Sequence, residues 1–169
     1  MLFLSLALSL FIMSMVLAII VDLHSMTIPN RLVGVVIFSF VIFAFGVNFS
    51  LMGFFWHLLV ALAALGITFG AFALGWMGGG DAKLIAATAL WFGPTLAFWD
   101  YLFLASFFGG VLTLVMILAR ACLRPTTGHA SVDRLLDPAS GVPYGVALGA
   151  AGIVVAMGLP EMQSVFGLI

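Results

Sequence analysis

Residues 73–93 read ALGWMGGGDAKLIAATALWFG, an apolar run interrupted by three glycines, Asp81 and Lys83. Three chemistries suit such an interruption: a nucleotide-binding loop, a break between two membrane helices, or a catalytic carboxylate. A phosphate loop of the GxxxxGKS/T type needs a glycine–lysine junction followed by a hydroxyl. The stretch GGGDAKL has neither, and Asp81 would repel a phosphate. A helix break and a carboxylate remain, and the composition around them decides the fold.

The chain has 169 residues, of which 65% are hydrophobic and only 7% charged. An ordinary soluble domain carries about 25% charge, and a water-soluble fold of this size could not hide so much apolar surface. The composition predicts an all-α, polytopic integral membrane protein, organised as a single membrane domain over residues 1–169. Five Lys and Arg oppose six Asp and Glu, for a formal charge of -1, so nothing basic invites a nucleic acid. Cys122 is the single cysteine, which excludes an internal disulfide and zinc held by paired cysteines. His24, His57 and His129 do not complete a metal site, so no metal or other cofactor is expected. The N-terminal run MLFLSLALSLFIMSMVLAIIVD lacks a basic flank. Its apolar part exceeds a usual signal-peptide core, and a retained first helix is expected.

A membrane span needs about 20 mostly apolar residues. About six segments qualify: 2–21, 32–47, 54–74, 84–98, 101–119 and 143–159. Every Lys and Arg (Arg31, Lys83, Arg120, Arg124 and Arg134) falls in one set of alternate loops, whereas Asp100 and Glu161 fall in the other. The positive-inside rule then predicts both termini outside the cytoplasm, with loops 22–31, 75–83 and 120–142 inside it. Gly66 with Gly70, Gly75 with Gly79, and Gly141 with Gly145 and Gly149 stand four residues apart, a spacing that permits close helix contact. The polar stretch RPTTGHASVDRLLDPASGVP offers SVDRLLD as either a short surface helix or plain connector. Trp56, Trp76, Trp91, Trp99 and Tyr101 suit interface anchors or helix packing.

Asp22, inside AIIVDLHSMTIPNRL, and Asp81 fall on the same predicted side of the membrane. Each alone could be an interfacial anchor. Acidic residues at membrane depth are costly, however, and mark function. Two close carboxylates cannot both ionise easily and come to share one proton. The ionised member can then take a proton from water while the protonated one polarises a peptide carbonyl. Gly78, Gly79 and Gly80 would let the backbone turn tightly before Asp81 and leave room for a substrate backbone. Asp81 would precede a helix beginning near Ala82, where the free amides favour its ionised form. Lys83 is read as an interfacial lysine or as a partner that orients Asp81. Pro29 suits the first turn of the second helix, with Thr27 as a cap before it and Asn30 and Arg31 at the start of the span. His24 is expected at the surface. A proton-coupled small-molecule transporter could use the same aspartates, but would more naturally place a carboxylate at midmembrane. A noncatalytic assembly subunit could instead use the polar loops to hold a partner.

Three segments, DLHSMTIPN (22–30), GGGDAKL (78–84) and PYGVALGAAG (143–152), occur in that order across nearly the whole chain. With them and its hydrophobic spans, the sequence resembles the type IV prepilin peptidase family, membrane aspartic endopeptidases with a GxGD motif. The resemblance implies that Asp22 and Asp81 are the catalytic pair and that Gly78 and Gly80 are the motif glycines. By the same resemblance Lys83, Pro29 and Asn30 are structural or positioning residues. Pro143, Tyr144 and Gly145 would serve helix packing or the substrate cleft. The implied substrates are prepilins or pseudopilins, cut after a glycine that precedes their hydrophobic helix. The implied setting is the cytoplasmic face of a bacterial inner membrane, with lipid and pilus-assembly machinery as further partners; a noncatalytic pilus-assembly subunit is the corresponding alternative. Long family members carry an added N-terminal cytoplasmic region, often with paired cysteines, and also methylate the new N-terminus. Here the first span starts at residue 2 and no cysteine pair exists. Peptidase activity without methyltransferase activity is therefore expected, as in the compact enzymes of tight-adherence and Flp-type pilus systems.

Overall fold

The computed structural model describes residues 2–126 and 128–165. Among them there are helices and connections but no strand. In chain order the helices are α1 Leu2–Ser25, α2 Asn30–Gly46, α3 Leu51–Ala73, α4 Gly79–Phe92, α5 Leu96–Cys122, α6 Ala130–Leu136, α7 Tyr144–Met157 and α8 Pro160–Val165. Helices α1, α3 and α5 are long and apolar enough to cross a membrane, and α2 and α7 are shorter apolar helices. Large apolar side chains stay on the outside, such as Leu62 and Phe69 on α3 and Phe103, Phe107 and Leu114 on α5. Such a surface is stable against lipid rather than water. The chain is a membrane protein.

Helix α4 is the centre of the bundle. It packs against α2, α3 and α7, and every residue from Leu84 to Phe92 is buried. Helix α1 lies between α2 and α7, and α5 lies on α7. The tight α1–α7 pairing comes from glycine. A Cβ on Gly149 would stand 2.7 Å from the Met15 carbonyl oxygen, and one on Gly152 would stand 2.9 Å from the Met15 sulfur. Close backbone approach of this kind is what small residues provide between membrane helices. Of the spaced glycines, Gly145 and Gly149 face a neighbour in this way, while Gly66, Gly70 and Gly141 face open space.

Several boundaries differ from those read in the sequence. Helix α4 begins at Gly79, ahead of the expected start near Ala82, and the run 84–98 is divided between α4 and α5. The division falls at Gly93, whose φ is +57, just before Pro94, which cannot donate an amide hydrogen bond. The turn out of α3 is made by Gly75, at φ +75. There the Trp76 amide donates to the Ala71 carbonyl and the Gly75 amide to the Phe72 carbonyl, each at 2.9 Å. This Schellman pattern satisfies the last carbonyls of α3. Residues 130–136, open between helix and connector in the sequence, form α6.

At the end of the bundle away from Asp81, aromatic rings fill the core. Trp91 is buried, and its indole N–H reaches the Val36 carbonyl and Ser39 Oγ, both at 3.0 Å. Phe11 and Phe43 flank its ring at 4.6 and 4.9 Å between centroids. Tyr101 is fully buried against Phe92. Trp91 and Tyr101 are thus packing residues, whereas Trp56, Trp76 and Trp99 are exposed.

Candidate active site

Helix α1 runs one turn past the predicted end of the first span, so Asp22 lies within its last turns. The Asp22 carbonyl accepts the Met26 amide at 2.8 Å, and Met26 then adopts a left-handed conformation with φ 52. A non-glycine residue is uncommon there, and here it reverses the chain directly after the aspartate. Thr27 does not cap α2. Its hydroxyl pairs with Ser25 Oγ at 2.9 Å, and Pro29 itself occupies the cap position, without a side-chain cap bond. Asn30 is the first residue of α2.

Asp81 arrives from the opposite direction. Gly78 is the extended residue before α4, and Gly79 and Gly80 already lie in its first turn. None of the three has positive φ; the positive-φ glycine of this connection is Gly75, at the end of α3. What demands glycine is proximity. A Cβ on Gly78 would stand 2.9 Å from Asp81 Oδ2, and one on Gly80 would stand 3.2 Å from the Ile28 backbone nitrogen. Asp81 sits three residues after the cap position and accepts a hydrogen bond from the Gly78 backbone. This is the backward half of a capping box. Asp81 precedes the apolar run that begins at Leu84. Burial first, and the Asp22 carboxylate second, push its pKa up to about 7, against the opposing Gly78 bond. The helix-end amide favours the ionised form as expected, but desolvation and like charge outweigh it.

Helix α7 supplies the third wall. Pro143 occupies its cap position, Tyr144 is its first residue, and the Gly145 amide donates to Asp22 Oδ2 at 2.7 Å. An amide in the first turn has no partner within its own helix, and the helix end attracts negative charge. A Cβ on Gly145 would lie 2.8 Å from the same oxygen, so only glycine admits this approach. Tyr144 fits over Gly109 of α5, where a Cβ would collide with its ring.

Asp22 and Asp81 line one cavity of about 380 Å³, together with Gly78, Gly80, Gly141 and Val142. A larger groove of about 680 Å³ adjoins it and shares Gly78, Asp81, Gly141 and Val142 with it. From there it extends between Gly75 at the end of α3 and Leu102, Ala105 and Ser106 of α5, past Tyr144. The catalytic candidates and both motif glycines thus meet, with Gly145 against Asp22 and Tyr144 in the groove. Lys83 stands apart. Its Nζ donates to Asn30 Oδ1 at 2.9 Å, linking the first turns of α4 and α2. Pro29 and Pro143 set helix starts and do not line the cavity. His24 is exposed, as expected, and its carbonyl accepts a bond from Arg134 at 3.0 Å. Met26, Ile28 and Val142 were not singled out in the sequence, and Gly141 was noted only for its spacing from Gly145, although all four line the aspartate cavity. Gly141 and Val142 directly precede the Pro143–Gly145 segment, which was the only local hint. The other two lie inside the segment 22–30, whose resemblance was noted without assigning them a part.

Residues 9–118, well over half of the chain, match the type IV leader peptidase family. The chain belongs to that family. The matched region includes both Asp22 and Asp81 and stops before α7. The part played by Gly145 therefore rests on the bundle's own geometry. No curated protein and no solved structure matches the chain.

Proposed function

We propose that this leader peptidase family member is an aspartic endopeptidase that removes the short leader from type IV prepilins or pseudopilins. One observation carries the proposal: two carboxylates from separate helices line one cavity in a chain of this family. Asp22 and Asp81 activate a water against the carbonyl of the glycine that ends the leader. Burial and the nearby Asp22 carboxylate favour a shared proton residing on Asp81. Asp22 takes a proton from the water, and Asp81 hydrogen-bonds the carbonyl oxygen. The tetrahedral intermediate collapses with proton transfer to the leaving amine. The glycine-edged cavity suits a narrow backbone at the scissile bond, and the adjoining groove between α3 and α5 suits the apolar helix that follows it.

The chain serves as a single six-span unit over residues 1–169 in a bacterial inner membrane, with α2, α4 and α7 completing the crossings begun by α1, α3 and α5. The distribution of Lys and Arg supports an active site facing the cytoplasm and termini on the other side. Pilus-assembly machinery would receive the processed subunit.

The test is intact-mass measurement of a candidate prepilin coexpressed with the unaltered protein, with Asp22→Asn, or with Asp81→Asn, with membrane insertion of each checked in parallel. Leader loss with the unaltered protein alone supports both assignments, and the same mass reports any N-terminal methyl group. Equal leader loss with either variant removes the paired-aspartate mechanism. No loss across several prepilins, with well-inserted protein, favours a noncatalytic assembly subunit.

A further inference from the structure

Arg120, in the last turn of α5, donates three hydrogen bonds to one returning segment. Its Nε reaches the Leu135 carbonyl at 2.9 Å, and its Nη2 reaches Ser140 Oγ at 3.1 Å and the Gly141 carbonyl at 2.8 Å. One guanidinium therefore closes the end of α6 and the loop after it onto α5. Arg134 ties the same segment to the end of α1 through the His24 carbonyl. The clamped stretch leads straight to the aspartates. Gly141 and Val142 line both the aspartate cavity and the groove, Pro143 starts α7, and the Gly145 amide holds Asp22.

On the basis of the peptidase function proposed above, we infer that Arg120 is a positioning residue: it fixes residues 141–145 so that the Gly145 amide is presented to Asp22 at hydrogen-bond distance. A positive charge at this membrane face needs no particular geometry, and lysine would supply it equally. The three acceptors met here need a rigid planar fork, which an ammonium cannot reproduce. Misplacement of a reacting group by about 1 Å costs about 10²-fold in rate, so loosening of this segment acts on the chemical step more than on substrate binding.

The experiment compares Arg120→Lys and Arg120→Ala with the unaltered protein by two readouts. The first is steady-state cleavage of a prepilin. Both variants are expected to lose about tenfold to hundredfold in kcat with KM within about twofold, and low-millimolar guanidinium restores part of the rate of Arg120→Ala. The second is amide hydrogen exchange, which needs no substrate. Exchange over residues 141–145 is expected to be at least about tenfold faster in Arg120→Lys, with the α4 core unchanged. Arg120→Lys keeps the topological charge, so it remains informative if Arg120→Ala fails to insert. Full kcat in Arg120→Lys, a loss confined to KM, or unchanged exchange over 141–145 overturns the inference. If the unaltered protein cuts no prepilin, the peptidase function is what fails, and exchange alone decides whether Arg120 clamps the segment.

Discussion

Asp22 and His57 are the same kind of residue in two different settings. Each is an ionisable side chain less than a tenth exposed, and each is tied to a helix backbone by one hydrogen bond. Asp22 accepts an amide at the start of α7, whereas His57 Nδ1–H donates to the Leu90 carbonyl near the end of α4 at 2.8 Å. Their surroundings separate them. His57 stacks on Phe40 at 5.4 Å between centroids, meets Phe49 edge-on at 4.9 Å, and presses on Gly93. These contacts pack both faces of the imidazole and its edge. Asp22 instead borders a cavity with a second carboxylate across it. Burial of a titratable group does not identify chemistry by itself; burial beside an accessible space with a coupled partner does.

The largest effect that would break this contrast is expected at the carboxylates. Asp22→Asn and Asp81→Asn should each lower cleavage by about 10²–10⁴-fold, the range for losing a proton-transfer group, with insertion and thermal midpoint preserved. Gly145→Ala should follow at about 10²-fold, because its methyl group would occupy the space of the Asp22 oxygen; single-turnover cleavage with that variant measures it. A pH–rate profile sharpens the assignment of the proton. With the pKa of Asp81 near 7, the protonated form needed for catalysis is present below that pH and lost above it. The rate should therefore decline about tenfold per pH unit on the alkaline side. His57→Ala should do the reverse of the aspartate changes. It removes a packed ring and leaves the Leu90 carbonyl unpaired, lowering stability by about 3 kcal/mol, while kcat below the unfolding temperature stays within about twofold of the unaltered protein. Smallest, Lys83→Met should reduce the rate less than about tenfold and leave the alkaline limb of the profile in place, because Lys83 meets Asn30 rather than Asp81.

Much of this was legible in the sequence because its cause is local. Composition required a membrane setting, apolar runs located the long helices, and the motif segments named Asp22, Asp81 and Gly145. Residues that act through distant partners were not legible. Arg120 reads as one more loop cation until Leu135 and Gly141 are seen folded back on it. Gly109 reads as one of many membrane glycines until the Tyr144 ring covers it. The glycines before Asp81 were singled out for a sound local reason, freedom to turn. Tertiary closeness to Ile28 and to Asp81 itself is what holds them glycine. The sequence pointed to a proton shared by Asp22 and Asp81 but not to the member that carries it, because the depth of burial of each carboxylate is set by packing between helices.

The 14 residues of α4 and the 14 of α7 give each helix a length of about 21 Å, against about 30 Å for a hydrocarbon layer. Each is shorter than the layer it would cross in the six-span arrangement proposed above, and these are the two helices whose first turns hold Asp81 and Gly145. Helix α4 is wrapped by protein, but α7 shows Val154 and Met157 to the outside, so lipid must adjust to its shortness. In that arrangement the protein would carry a built-in hydrophobic mismatch at the helix that grips Asp22. Bilayer thickness becomes a variable of the reaction, and vesicles of graded acyl-chain length should tune the cleavage rate without any change in sequence.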